Sequence, residues 1–268
     1  MGRVNKELMY PPPMSTVTEH YDRLLAANYT WMLGGDIAAV ARAQAELLRE
    51  LDVSPGAVGA LAVDLGCGPG PQSLALAELG FSPVLAVDTS RALLDELSGL
   101  ADRAGYSSAV RPLLADIAGA LTEHTRPSSV AAVVCMGDTL PHLTAKRDVT
   151  ALLREAARAL AAGGRLVLSY RDLTSPRAGT DRFLPVRATE DRIMTCFLEY
   201  VDDDTVMVHD LIHARSGGRW HQQVSSYPKL RLSSAWLAGQ CQEAGLEIQH
   251  STTGPSGLSV ITATKPER

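Results

Sequence analysis

The stretch Asp64-Leu65-Gly66-Cys67-Gly68-Pro69-Gly70 constrains this 268-residue chain more than any other. An apolar run from Val58 to Leu65 precedes it, long enough for a buried parallel strand, and Ser73 to Leu79 follows with helical character. Alternating glycines between a strand and a helix let a ligand come close to the backbone, and the helix start offers unpaired N–H groups. The pattern predicts a nucleotide-type cradle at the carboxyl end of the first core strand.

The spacing narrows the ligand. A dinucleotide fingerprint reads G-x-G-x-x-G, with pyrophosphate on the helix N-terminus. Here the spacing is G-x-G-x-G, and Asp64 precedes it. A carboxylate at that place repels pyrophosphate and suits a cationic ligand. The D-x-G-x-G-x-G run resembles the first motif of the class I S-adenosylmethionine (SAM)-dependent methyltransferases, and the resemblance extends over residues 36–265. It implies an α/β fold: a Rossmann-like seven-stranded, mostly parallel sheet with an antiparallel last strand. It also implies SAM as cofactor, with Asp64 facing the amino-acid end and Gly66, Cys67, Gly68 and Gly70 forming the turn against it.

Acids recur where such a sheet would need them. Pro83 to Asp88 reads as the second strand, and Asp88 falls 22 residues after Gly66. An acid about 20 residues on accepts hydrogen bonds from ribose hydroxyls in Rossmann-type folds; the alternative is a helix-cap carboxylate. Thr89 and Ser90 then open a helix. Val110 to Ile117 is the third strand, and the resemblance places Asp116 beside the adenine amino group with Ile117 against the ring. Asp116 also fits as an N-cap. The fourth strand, Ser129 to Met136, leads into Gly137-Asp138-Thr139-Leu140-Pro141-His142-Leu143. Ligands of parallel sheets collect at strand carboxyl ends, so this loop is where the methyl group should meet its acceptor. His142 is the candidate general base, and Asp138 could hold a substrate amine or orient the histidine. Both are also ordinary turn and helix-start residues. Thr89 and Met136, with Tyr29 and Trp31 from the N-terminal segment, complete the expected cofactor set. Arg147 to Ala161 reads as a helix stopped by Gly163-Gly164, with Arg165 to Tyr170 the fifth strand and Arg171 at its ligand-facing end.

The flanks are less regular. Residues 1–13 read as loose; a helix should start near Thr16, with Glu19 in capping-box spacing, and give way between Asn28 and Gly35. Asp36 should cap the next helix. The resemblance implies an N-terminal helical lid over SAM and substrate, with Tyr21, Tyr29 and Trp31 as candidates; a packing corner is the other reading. From Leu173 to Pro185 the chain reads as loop. Ile193–Val201, Thr205–His213 and Trp220–Tyr227 then form an inserted antiparallel β meander with turns at Asp202-Asp203-Asp204 and Ser216-Gly217-Gly218. His209 and His213 share a strand face about 13 Å apart, too far to hold one metal ion. No metal site is expected, and Arg171, His209 and His221 join Tyr21 as candidate substrate residues. Lys229 and Arg231 could bind an acidic group or lie on a solvated edge. The expected organisation is a lid segment over 1–55, a SAM-binding core over 56–172, a substrate cap over 173–230, and a closing helix and strands over 231–268.

A net charge of −5 argues against a broad nucleic-acid surface. No apolar run is long enough to span a membrane, and four scattered cysteines without a C-x-x-C suggest reduced thiols in a cytoplasmic monomer or homodimer. The resemblance therefore implies methyl transfer to an oxygen or nitrogen, less so a carbon, of a small molecule. Gly137-Asp138-Thr139-Leu140 stands where methylases of base or amide nitrogen carry an N-P-P-Y-type motif. Three alternatives stay open: a cyclisation or elimination on the same cofactor, a non-catalytic SAM-binding partner, and, more remotely, an NAD-dependent oxidoreductase.

Overall fold

The computed structural model describes residues 16–254 and 257–267; the expectation for residues 1–13 lies outside them. At the N-terminus the Thr16 side chain accepts from Glu19 N, and the Glu19 carboxylate accepts from Thr16 N. Helix α1 (Val17–His20) runs through a π-helical turn (Tyr21–Leu25) into α2 (Ala26–Met32). It continues past Asn28 and ends at Met32, within the stretch where the sequence places its end. Packing of Tyr29 and Trp31 against neighbouring apolar groups overrides their modest helix propensity. Gly34 and Gly35, both at positive φ, end it. Asp36 caps α3 (Ile37–Glu50) by accepting from Ala39 N.

The core alternates strand and helix: β1 (Leu61–Leu65), α4 (Pro71–Glu78), β2 (Val84–Asp88), α5 (Arg91–Ala104), β3 (Val110–Leu114), α6 (Ile117–His124), β4 (Val130–Cys135), α7 (Lys146–Ala159) and β5 (Leu160–Arg171). β1 starts three residues later than the apolar run suggested, because Val58 is fully exposed. The Gly163-Gly164 pair does not stop α7. The helix ends at Ala159, Leu160 turns extended, and both glycines lie inside β5, where Gly163 N donates to Lys265 O and Gly164 O accepts from Lys265 N.

The chain then leaves for a second sheet of β6 (Phe183–Ala188), β7 (Arg192–Tyr200), β8 (Thr205–Ser216) and β9 (Arg219–Leu230), and returns with α8 (Ser234–Glu243), β10 (Glu247–Thr253) and β11 (Leu258–Thr264). The second sheet has four strands in the order β6-β7-β8-β9, where the sequence suggested three. The additional strand, β6, carries Pro185, and proline is tolerated there because β6 is an edge.

The main sheet has the order β10-β11-β5-β4-β1-β2-β3, with β11 antiparallel to β5. Helices cover both faces: α7 and α8 bury Leu152, Leu153 and Leu237 on one, α3, α4 and α5 bury Leu48, Leu76 and Leu97 on the other. Each such leucine contributes roughly 1.5–3 kcal/mol of burial. Strand order reverses between β1 and β4, so the loops after these two strands diverge and open a crevice.

Candidate functional site

That crevice is a cleft of about 850 Å³, its open mouth included. Gly66 and Gly68 form its floor, Asp88, Thr89, Asp116 and Ile117 one wall, Thr139, His142 and Leu143 the other, and Tyr21 and Tyr29 the roof.

The three glycines do different work. A Cβ on Gly66 would lie 2.2 Å from Thr139 Cγ2, so the turn there packs directly under the loop after β4. A Cβ on Gly70 would lie 2.0 Å from Leu97 Cδ1; this glycine seats α4 against α5 and does not reach the cleft. Of the three, only Gly68 has room for a side-chain carbon, which would rest in ordinary contact with the Tyr29 ring at 3.5 Å.

Asp88, at the end of β2, is pinned by backbone donors: Gly68 N to Oδ2 and Ser90 N to Oδ1, each at 2.8 Å. It therefore ties the glycine turn to β2 and opens α5 while lining the cleft. Burial raises its pKa against these hydrogen bonds. Asp116 caps α6 through Ala118 N at 2.8 Å, as the N-cap reading has it, and also lines the cleft. Asp64 lies beneath the turn, 1% exposed, accepting from Ser73 Oγ at 2.6 Å. Burial lifts its pKa to about 7, with the serine hydrogen bond opposing.

Other expected residues sit elsewhere. Cys67 and Met136 are buried in the core, and Trp31 lies between the Arg187 and Arg192 guanidinium groups, away from the cleft. Asp138 does not reach the histidine's ring: Oδ1 accepts from Arg171 N at 2.9 Å and Oδ2 from Lys229 Nζ at 2.6 Å. Lys229 is thus no solvated edge cation; only 8% of its side chain is exposed. Arg231 is likewise buried, donating to the carbonyls of Leu173, Thr174 and Asp202. Arg171 is half-buried outside the cleft lining. His209 contacts Glu199 at 2.9 Å and Ser226 at 2.7 Å on the sheet face opposite Asp210, since successive strand residues alternate. His221 is exposed on β9 across from Ala214, and neither histidine lines the cleft.

His142 lines the cleft, and burial, helped by the nearby Lys229 and His20 charges, holds its pKa well below the usual 6.5. Its Nδ1 is buried and has no hydrogen-bond partner among the described residues. An unpaired lone pair costs less there than an unpaired N–H, so the proton of the neutral ring is assigned to Nε2. Tyr227 stacks on it at 5.2 Å, and Tyr21 meets it edge-on at 5.9 Å. Sequence reading missed His20, Asp210, Tyr227 and Thr139. Burial of a hydrogen-bonded polar pair was the only signal for the first two, and it appears only once the chain is folded.

The residues present fit SAM: Asp88 and Asp116 offer carboxylates to the cleft, Ile117 an apolar side chain, and Gly66 and Gly68 a glycine floor. A switch-point cleft with these side chains defines an α/β fold with a nucleotide-type site. Residues 62–164 match the family model described as a methyltransferase domain. No curated protein matches the chain. Among solved structures, a SAM-dependent methyltransferase from Clostridium acetobutylicum is 16% identical with a TM-score of 0.68, covering 93% of this chain and 97% of its own. The sugar N-methyltransferase KedS8 from Streptoalloteichus sp. is 18% identical with a TM-score of 0.64 over 100% of both chains. SAM-bound CalS10, an amino pentose methyltransferase from Micromonospora echinaspora, is 17% identical with a TM-score of 0.60, over 96% and 99%. Residues 62–164 thus match a methyltransferase domain, and the chain shares its fold with these SAM-dependent methyltransferases.

Proposed function

We propose that this chain transfers a methyl group from SAM to the nitrogen of a small amine, an amino sugar being the first class to test. The observation that carries the choice of nitrogen is His142. A ring that resists protonation, with its proton on Nε2 and no acceptor behind Nδ1, is a poor general base. An oxygen acceptor needs a base; a neutral amine presents its lone pair without one. The two sugar-nitrogen and amino-pentose methyltransferases of like fold support the same reading.

When bound, SAM supplies an activated methyl group. This chain's residues bind and align: Asp88 would hold the ribose hydroxyls, Asp116 and Ile117 the adenine, and Asp64 the amino-acid end. His142 Nε2–H and Tyr21 would orient the acceptor, and rate would come from holding the reacting atoms within near-attack distance. We assign the helices before residue 55 as a lid and residues 173–230 as the acceptor cap. Incubation with SAM and a panel of amino sugars and simple amines should release S-adenosylhomocysteine only when an acceptor is present. The rate should rise with pH along the acceptor's own ionisation, and His142→Gln should keep that profile within about tenfold. Loss of a distinct ionisation in His142→Gln would point instead to an oxygen acceptor. SAM binding without turnover of any acceptor would favour a non-catalytic partner.

A further inference from the structure

Four aromatic rings beside the cleft come from three separate stretches of chain. His20 and Tyr21 belong to the N-terminal helix, His142 to the loop after β4, and Tyr227 to β9. They form one run. His20 lies over Tyr227 with centroids 4.2 Å apart, Tyr227 stacks on His142 at 5.2 Å and 11°, and His142 meets Tyr21 at 5.9 Å. Tyr21 and His142 reach the cleft; Tyr227 and His20 stand behind them.

The rear of the run is anchored by a polar contact. His20 Nε2 is 3.0 Å from Asp210 Oδ2, and the two side chains are 0% and 1% exposed. The other Asp210 oxygen accepts from Cys196 Sγ at 2.7 Å. The pair fixes where the His20 ring lies, and through it where Tyr227 rests on His142. A second contact joins the same helix to the same sheet, Arg192 Nη1 to Asn28 Oδ1 at 2.9 Å, but it touches none of the four rings. A pair that only fastened the helix would be equivalent to this second contact.

We propose that His20 and Asp210 are positioning residues for the acceptor: they hold Tyr227 against His142, so that His142 and Tyr21 form a fixed wall of the cleft. The wall is complete only when the N-terminal helix is docked on the second sheet. This rests on the reading of the cleft as the acceptor site, so its test uses a signal that needs no acceptor.

The signal is the ring-current shift of the His142 ring protons in NMR spectra, identified by its disappearance in His142→Gln. His20→Leu/Asp210→Leu, which leaves no buried charge unpaired, should lose that shift. It should also raise amide exchange over residues 17–25 at least tenfold. Asp210→Asn, which keeps an acceptor for His20 Nε2, should retain both signals. Arg192→Ala should leave the His142 shift in place. An unmoved His142 shift in the folded double variant overturns the proposal, as does equal loss in Arg192→Ala. Should the double variant not fold, mild urea on the unaltered protein decides: the His20 and His142 shifts should collapse at one concentration, and separate midpoints overturn the coupling. Once an amine acceptor is known, the double variant should lower kcat/KM for it at least tenfold, with the KM for SAM within threefold.

Discussion

At the scale of single residues, the acids at the strand ends were readable because each closes an apolar run, and an exposed end of a parallel strand has few uses for a carboxylate. Their environments yield two predictions. Asp88→Ala should weaken SAM binding by about 1–3 kcal/mol, since hydrogen bonds to a charged group are lost; titration calorimetry on the folded variant checks this. Asp64 in the folded chain holds its proton up to about pH 7, against an ordinary 3.8. The folded state therefore binds the extra proton. Its stabilising contribution is complete below about pH 4 and is lost as pH rises through 7. Thermal melts should show the unliganded protein losing stability between about pH 4 and 7, and Asp64→Asn should flatten that fall. A cation bound at this carboxyl would draw the proton off, so SAM binding at pH 6 should release protons, seen as a buffer-dependent heat. What stayed hidden at this scale was pairing over distance. His20 and Asp210 lie 190 residues apart in sequence, and neither sits in a motif.

At the scale of elements, the strand–helix cycles were legible through apolar periodicity and caps, and their failures have physical causes. β6 was read as loop because Pro185 and the surrounding polar residues argue against a central strand; an edge place removes the objection. The Gly163-Gly164 pair looked like a helix stop because sequence cannot distinguish that from an irregularity within a strand. The glycine turn carries the prediction at this scale. Gly66→Ala would force a Cβ against Thr139 in a residue at φ +72°. It should cost about 1–3 kcal/mol and push the loop after β4 into the cleft. Thr139→Ser, by removing the Cγ2 that sits 2.2 Å away, should recover part of the loss in chemical denaturation.

At the scale of the whole molecule, the buried Lys229–Asp138 pair joins β9 of the second sheet to the loop after β4 of the first. Lys229→Met should cost about 3–5 kcal/mol, because Asp138 would keep a buried charge without its partner. Lys229→Met/Asp138→Asn should regain most of it, as read by urea unfolding. The exit and return of the inserted segment have a further meaning. The chain departs after β5 and comes back before α8, and Arg231, just past β9, grips the Leu173 and Thr174 carbonyls just past β5. A segment stapled shut at its own root behaves as a cassette. It can be replaced wholesale by another of different shape while the strands of the main sheet keep their register. On the proposed reading, in which this segment caps the acceptor, a lineage built on this plan would acquire new acceptors by exchanging one contiguous stretch of gene, without relearning how to bind the donor.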